Sequence, residues 1–173
     1  FGETRAEVLN RMSKAMQNLL ADLWANRKPG LPFNDPIEAV ILASIVERET
    51  GVAEERSRVA GVFVNRLRRG MRLQSDPTVA YAATNGKQPL GRPLTRKDLD
   101  AAHPYNTYRI KGLPPSPISN PWRAALAATL NPLETDELYF VADGTGGHAF
   151  AKTLAEHNRN VAKWRKLQRE RKK

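Results

Sequence analysis

The chain has 173 residues, which is long enough for one domain with a buried core. Its composition of 40% hydrophobic and 27% charged residues is typical of a globular protein. The absence of cysteine excludes disulfides, a cysteine nucleophile and thiolate metal sites. The longest run of apolar or small residues, Ala39 to Val46, is far shorter than the roughly 20 residues of a bilayer span, so we expect no membrane contact by this part of the protein.

The net charge of +10 is concentrated at the C-terminus. Eight basic residues and one acidic residue between Arg159 and Lys173 give that segment a charge of +7, which leaves +3 for the rest of the chain. Such a segment is consistent with either a solvated helix end or a surface for an anionic partner.

The first predicted element is a helix over Arg5 to Arg27, where apolar residues recur at helical spacing. The break at Pro29-Gly30-Leu31-Pro32 follows it. We therefore divide the chain into an N-terminal helix and linker over 1–34, packed on a catalytic domain over 35–173.

A second helix is predicted from Asp35 to about Thr50, with Asp35 as N-cap, Glu38 closing a capping box and Gly51 as C-cap. A third is predicted over Ala53 to Arg69, ended by Gly70. The segment from Met71 to Gln74 should be extended.

Asp76-Pro77-Thr78 predicts a short helix with Asp76 as N-cap, which Asn85-Gly86 should stop. A capping box at Thr95 to Asp98 opens another helix. The segment Tyr105 to Pro121 is rich in Pro, Gly, Ser and Asn, which indicates an unusually long loop.

Asn120-Pro121 is expected to cap an alanine-rich helix that runs through Leu130. Leu138 to Asp143 and His148 to Ala151, separated by Gly144-Thr145-Gly146-Gly147, predict a hairpin rather than a phosphate-binding loop. Thr153 to Glu156 opens a basic terminal helix. The predicted fold class is α+β, predominantly helical, with a C-terminal β-hairpin.

The helix over Asp35 to Thr50 is apolar on nearly every side, which is typical of a buried helix. Glu47 lies in its last turn, where partial burial would raise the pKa of a carboxyl group and keep it protonated as a general acid. The alternative is an ion pair of Glu47 with Arg48 or Arg56. Glu49 lies about 200° further round the helix, so the two glutamates cannot share a face.

Other chemistries have little support in the sequence. The three histidines, His103, His148 and His157, lack metal-ligand spacing, so neither a metal nor a cofactor is expected. Asp76 could supply a second acid, although a capping role is the simpler interpretation. Tyr105-Asn106-Thr107-Tyr108 combines aromatic rings with amide and hydroxyl groups, which suits sugar binding, but packed tyrosines in a turn fit equally well.

A set of segments in a fixed order resembles the MltG/YceG-type endolytic murein transglycosylases. One such segment would be weak evidence, but the ordered set is specific. Ser116 and Trp122 stand where that family usually has glycine. The segments are Leu42 to Thr50, Val62 to Leu67, Gly70 to Val79, Pro104 to Tyr108, Gly112 to Pro115, Pro117 to Pro121, Leu138 to Ala142, Gly147 to Phe150 and Glu156 to Asn158.

The resemblance implies an enzyme that cuts β-1,4 bonds within peptidoglycan glycan strands and leaves 1,6-anhydro-muramoyl ends. It implies action at the periplasmic face of the bacterial inner membrane, with an anchor outside this chain and peptidoglycan synthases as possible partners. It places the catalytic glutamate at Glu47 and requires no cofactor. The residues expected to position sugar or stem peptide are Gln74, Asp76, Thr78, Tyr105, Asn106, Thr107, Tyr108, Asn120 and His148.

Two other functions are consistent with parts of the sequence. A peptidoglycan-binding module without catalysis would make Glu47 structural. A nucleic-acid-binding domain would use the basic tail, but its charges are terminal rather than spread over an aromatic-bearing face, so no nucleic acid partner is expected.

Overall fold

A computed structural model describes residues 2–171 and confirms the α+β class. Within this part of the chain, seven α-helices and one two-stranded antiparallel hairpin are present. The helices are α1 (Arg5–Ala25), α2 (Pro36–Glu49), α3 (Arg56–Arg68), α4 (Asp76–Thr84), α5 (Arg96–Asp100), α6 (Arg123–Leu130) and α7 (Leu154–Glu170), and the strands are β1 (Tyr139–Ala142) and β2 (His148–Ala151).

Helix α2 lies at the centre of the fold. Asp35 begins it by accepting hydrogen bonds from the backbone amides of Ile37 and Glu38 at 2.8 and 3.0 Å. The Glu38 carboxylate accepts from the backbone amide of Asn34 at 2.6 Å rather than from Asp35, so the capping box predicted at this end is not formed. Every residue between Ile41 and Val46 is buried, as the apolar periodicity predicted.

The C-terminal end of α2 differs from the prediction. Thr50 has φ −134° and ψ 133°, so the chain becomes extended directly after Glu49. Gly51 therefore does not act as the C-cap, because no left-handed residue follows the helix. Glu49 is therefore the last helical residue of α2.

Two groups of buried side chains surround α2. One joins α2 to α3 through Leu42, Ile45, Val59 and Phe63. The other joins α2 to α1 and α6, and in it Leu23 of α1 packs with residues of α2 and α6. The α1 helix is thereby held on the rest of the molecule by apolar contacts.

The helix predicted from Ala53 to Arg69 is divided into a 3-10 turn, Ala53–Glu55, and α3. Gly70 follows it with φ +63°, as expected for a residue that ends a helix. Gly61 lies on the buried face of α3 and packs against the backbone of the segment that follows α6.

The three helices predicted between Met71 and Leu130 all form, but the predicted N-cap is confirmed for only one of them. Thr95 forms its capping box with Asp98. Helix α4 has Ser75 as its cap, so Asp76 is its first helical residue and is not an N-cap. Helix α6 is preceded by Trp122 rather than Asn120.

The hairpin and α7 form the C-terminal part of the described chain. Tyr139 pairs with Ala151 and Ala142 with His148, in the predicted strands. Thr153 forms the capping box that begins α7, and the helix packs against both strands. Lys172 and Lys173 of the basic tail lie outside the described residues.

None of the helices described between residues 2 and 171 combines the length and the apolar character that crossing a bilayer requires.

The close approach at Gly61 gives a test of this packing. A Cβ atom there would lie 2.5 Å from the backbone oxygen of Leu133, so Gly61→Ala should lower the free energy of unfolding by about 1–3 kcal/mol. Gly51→Ala is the control, because a Cβ at Gly51 meets nothing within 4 Å. Urea denaturation of both variants measures the effect, and equal stability of the two would show that the segment after α6 moves freely.

Candidate active site

A cleft of about 550 Å³ lies between the end of α2, the segment preceding α4, strand β1 and helix α7. Its lining combines acidic, basic, aromatic and amide side chains, which is a composition suited to a polar, ring-shaped ligand. The residues that line it are Glu49, Arg66, Leu73, Gln74, Asp76, Tyr108, Tyr139, Phe140, Val141, Ala142, His148, Leu154, His157, Asn158, Val161 and Trp164.

Glu49 is the glutamate that the end of α2 brings into this cleft. Its Oε1 atom accepts a hydrogen bond from the Ser75 hydroxyl at 2.5 Å, and Ser75 itself is buried. The residue keeps some exposure to the cleft, while its carboxyl group is largely removed from water. The geometry therefore joins access for a ligand with desolvation of the acid.

Desolvation raises the pKa of Glu49 to about 7. The Ser75 hydrogen bond opposes this shift because it stabilises the carboxylate, while the negative charge of Asp76 adds to it and the positive charge of Arg66 reduces it. A carboxyl group with this pKa is present in both protonation states near neutral pH, as a group that alternates between acid and base must be.

Asp76 and Tyr108 form a hydrogen-bonded pair beside Glu49. The Tyr108 hydroxyl donates to Asp76 Oδ1 at 2.6 Å, and burial together with this bond raises the pKa of Tyr108 above its usual value. Both predicted residues line the cleft, which gives it a second carboxylate and an aromatic ring.

Arg66 fixes the backbone at the base of the cleft. Its Nε donates to the Leu138 carbonyl at 2.6 Å and its Nη1 donates to the Leu73 carbonyl at 2.9 Å, so one guanidinium joins the residue before β1 to the segment before α4. Nη1 also donates to Gln74 Oε1 at 3.3 Å, and Gln74 has φ +52°. The predicted residue Gln74 therefore lines the cleft in a left-handed conformation that Arg66 helps to hold.

Glu47 lies on a different side of α2. Its Oε2 accepts from the backbone amide of Trp122 at 3.1 Å, directly before α6, where the positive end of a helix favours a carboxylate. Glu47 is partly exposed and is not among the residues that line the cleft. The environment that the sequence analysis expected for Glu47 is a desolvated carboxyl group, and in the structure the desolvated carboxyl group that lines the cleft is that of Glu49.

His148, the first residue of β2, also lines the cleft. Its Nδ1 atom lies 2.7 Å from Glu55 Oε2, and its backbone amide donates to Glu55 Oε1 at 2.9 Å. Phe140 meets the imidazole edge-on, with 5.3 Å between ring centroids. The ring is thus held by Glu55 at Nδ1 and by the packing of Phe140.

Three predicted site residues are internal instead of facing the cleft. Asn106 has no exposed surface, and its amide donates to the carbonyl oxygens of Asp98, Leu99 and Ala101 at 3.2, 3.1 and 2.8 Å. The hydroxyls of Thr78 and Thr107 lie 2.8 Å apart, and both residues are fully buried. Their polar groups close the end of α5 and attach the long loop to α4, so none is free to bind sugar.

The remaining predicted residues, Tyr105 and Asn120, are not among those that line the cleft. The Tyr105 hydroxyl lies 2.5 Å from the Ser116 hydroxyl, and its ring packs on Tyr81 with 4.8 Å between centroids. Asn120 is exposed near the start of α6. Tyr105 therefore fits the alternative of a packed tyrosine in a turn.

Several cleft residues were not predicted as site residues. Tyr139 stacks on His157, with 5.2 Å between ring centroids, and both line the cleft with Asn158 and Trp164. Tyr139, His157 and Asn158 lie in two segments that resemble the family, Leu138 to Ala142 and Glu156 to Asn158, and this was the signal that could have indicated them. Within residues 2–171, no group of three or more histidine or acidic side chains is placed to hold a metal ion.

Comparison with known proteins gives a consistent result. The profile of the YceG-like family matches residues 1–163. The chain belongs to this family. It is 44% identical over 123 residues to an endolytic murein transglycosylase of Bacillus subtilis and 37% identical over 166 residues to one of Streptococcus pneumoniae.

A crystal structure of a YceG-like protein from Listeria monocytogenes is similar, with a TM-score of 0.77 and 38% sequence identity. The match covers 92% of this chain and 50% of that one. The matches to the two transglycosylases cover 71% and 92% of this chain but only 33% and 29% of those proteins. The YceG-like chain thus spans about a third of the length of these relatives.

The pKa of Glu49 predicts a pH-dependent cost to stability. Between its ordinary value of 4.5 and about 7, the folded protein binds a proton that the unfolded chain releases, so the free energy of unfolding falls as pH rises through this range. Glu49→Gln removes the effect and keeps an acceptor for Ser75. Its stability relative to wild type should increase by roughly 2–3 kcal/mol between pH 4.5 and pH 8.

Urea denaturation of both proteins at the two pH values measures this difference, in which the contributions of other titrating groups cancel. A constant difference across the range would show that Glu49 is as well solvated in the folded protein as in the unfolded one.

The position of Asn106 predicts a structural effect. Asn106→Ala removes the donor to three backbone carbonyls, so it should lower the free energy of unfolding by about 2–3 kcal/mol. Asn120→Ala, at an exposed position of the same loop, is the control. Thermal denaturation followed by circular dichroism compares the two, and an unchanged melting temperature for Asn106→Ala would contradict the structural role.

Proposed function

We propose that this chain is the catalytic part of an endolytic lytic transglycosylase, with Glu49 as its acid and base. The observation that carries the proposal is the Glu49 carboxyl group, desolvated at the end of a buried helix and open to a polar cleft. Membership of the YceG-like family and the named activity of its relatives support the reaction class.

The proposed reaction uses one carboxyl group twice. Protonated Glu49 donates its proton to the glycosidic oxygen, so the bond from that oxygen to C1 of the muramoyl residue breaks. The resulting carboxylate accepts the proton of the C6 hydroxyl, whose oxygen forms the new bond to C1. The product is a 1,6-anhydro end, no water is consumed, and Glu49 is protonated again.

The other cleft groups fit a reaction in which positive charge develops at C1. Asp76 adds negative charge to the same cleft, which stabilises such a charge and also raises the pKa of Glu49. The rings of Tyr108 and Tyr139 offer apolar faces on which a sugar can pack.

Glu49 is a better candidate for this role than Glu47, which the sequence analysis selected. Glu47 binds the backbone amide before α6 and lies outside the cleft lining, so it has a structural function already. The sequence prediction for Glu47 stays a prediction, and the two positions can be separated by experiment.

The substrate is proposed to be peptidoglycan glycan strands, cut internally. The place of action would then be the periplasmic face of the inner membrane, with the anchor supplied by a part of the protein outside this chain. A further proposal is that the enzyme helps to end nascent glycan strands, which would make peptidoglycan synthases its partners.

The test replaces each glutamate by glutamine. Glu49→Gln keeps the shape of the side chain and the Ser75 hydrogen bond but removes the transferable proton. The variant should therefore fold and bind glycan, yet form anhydro ends ~100- to 10,000-fold more slowly. Glu47→Gln, two residues away, should retain most activity and serves as the matched control.

Mass spectrometry of products from glycan strands identifies the reaction. Anhydro ends from wild type that disappear only in Glu49→Gln support the proposal. Reducing ends would identify a hydrolase that uses the nearby Asp76 to activate water. Binding without any product would identify a peptidoglycan-binding module, and loss of activity in folded Glu47→Gln alone would return the catalytic role to Glu47.

A further inference from the structure

Glu55 is not one of the catalytic candidates. Both of its carboxylate oxygens contact the same residue, His148. Oε1 accepts from the backbone amide of His148 at 2.9 Å, and Oε2 lies 2.7 Å from Nδ1 of the same residue. The two side chains are 20% and 14% exposed. A bidentate contact to the backbone and the ring of one histidine fixes both its position and its rotation.

The sequence around His148 leaves room for this contact. A Cβ atom at Gly147 would lie 2.8 Å from Glu55 Oε1, so a side chain there would displace the carboxylate. Phe140 and Phe150 pack against the imidazole, with ring centroids 5.3 and 6.2 Å away. The 3-10 turn that carries Glu55 begins at Ala53, four residues after the last residue of α2, so the dyad is tied to the same helix end as Glu49.

The dyad determines which hydrogen-bonding group enters the cleft. An ionised carboxylate only accepts hydrogen bonds, so Nδ1 of His148 must carry a hydrogen when it bonds to Glu55. In the neutral ring, Nε2 is then an acceptor. Nε2 of His148 has no hydrogen-bond partner among residues 2–171. It is not among the buried polar atoms that lack a partner, so it is accessible, and His148 lines the cleft.

We propose that Glu55 is a positioning residue for His148, which it holds as the Nδ1–H tautomer so that Nε2 accepts a hydrogen bond from a hydroxyl or amide N–H of the bound saccharide. This inference rests on the proposed function for the identity of the ligand. It adds a saccharide-binding acceptor to the cleft that Glu49 lines, together with the residue that orients it.

A double-mutant cycle tests the coupling. The ligand is the β-1,4-linked tetramer of N-acetylglucosamine, and its Kd is measured by calorimetry. His148→Ala should weaken binding roughly five- to tenfold, which is the effect of one lost hydrogen bond. Glu55→Gln should weaken it in the wild-type background and have no further effect in the His148→Ala background. Glu54→Gln, in the same 3-10 turn but exposed, should bind as wild type does.

Equal effects of Glu55→Gln in both backgrounds would overturn the proposal, because Glu55 would then act through the fold and not through His148. Unchanged affinity in His148→Ala would also overturn it. Because anhydro-end formation is not the readout, wild type that binds the tetramer but forms no such ends would refute the transglycosylase and leave this inference standing.

The tautomer itself is measurable without a variant at Glu55. ¹⁵N-edited NMR of wild type at pH 8, with the His148 signals identified by their absence from His148→Gln, should show hydrogen on Nδ1 and none on Nε2. Hydrogen on Nε2 would overturn the proposal even if the Glu55 variants fail to fold.

Discussion

The burial of α2 is the constraint on which the rest of the structure depends. Apolar side chains on nearly all of its sides require neighbours all round, and these are α1 and α6 in one group of contacts and α3 in the other. A helix enclosed in this way cannot rotate without exposing apolar surface. The direction of each side chain in its last turn is therefore fixed, and the two glutamates that differ by about 200° meet different environments.

The desolvation of Glu49 shows how this constraint connects stability to chemistry. Removing a carboxyl group from water costs free energy when it ionises, and Ser75 offsets only part of that cost. A glutamine at this position would be easier to accommodate above neutral pH. An energetically unfavourable acid at the edge of a cleft is typical of sites where activity opposes stability.

Most residues of the long loop after α5 support the site from the protein interior instead of lining the cleft. Asn106 and Thr107 are fully buried and hold the loop on α5 and α4, and the backbone amide of Ile118 donates to the Ser44 hydroxyl of α2 at 2.9 Å. Only Tyr108 of the predicted four-residue motif reaches the cleft lining. The polar residues of this loop thus act as internal ties that place one aromatic ring beside Asp76.

The sequence by itself determined the elements whose signals are local. Helix periodicity, the capping box at Thr95, the start of α7 after Thr153 and the glycine-rich turn before His148 depend on residues within a few positions, so they could be predicted. The ordered motifs likewise identified the family. Whether Glu47 or Glu49 lines the cleft was not a local question, because both lie in the last turn of the same buried helix. Only the tertiary structure decided it. The backbone amide before α6 donates to Glu47, whereas Glu49 faces the cleft and accepts from Ser75, a residue 26 positions further along the chain.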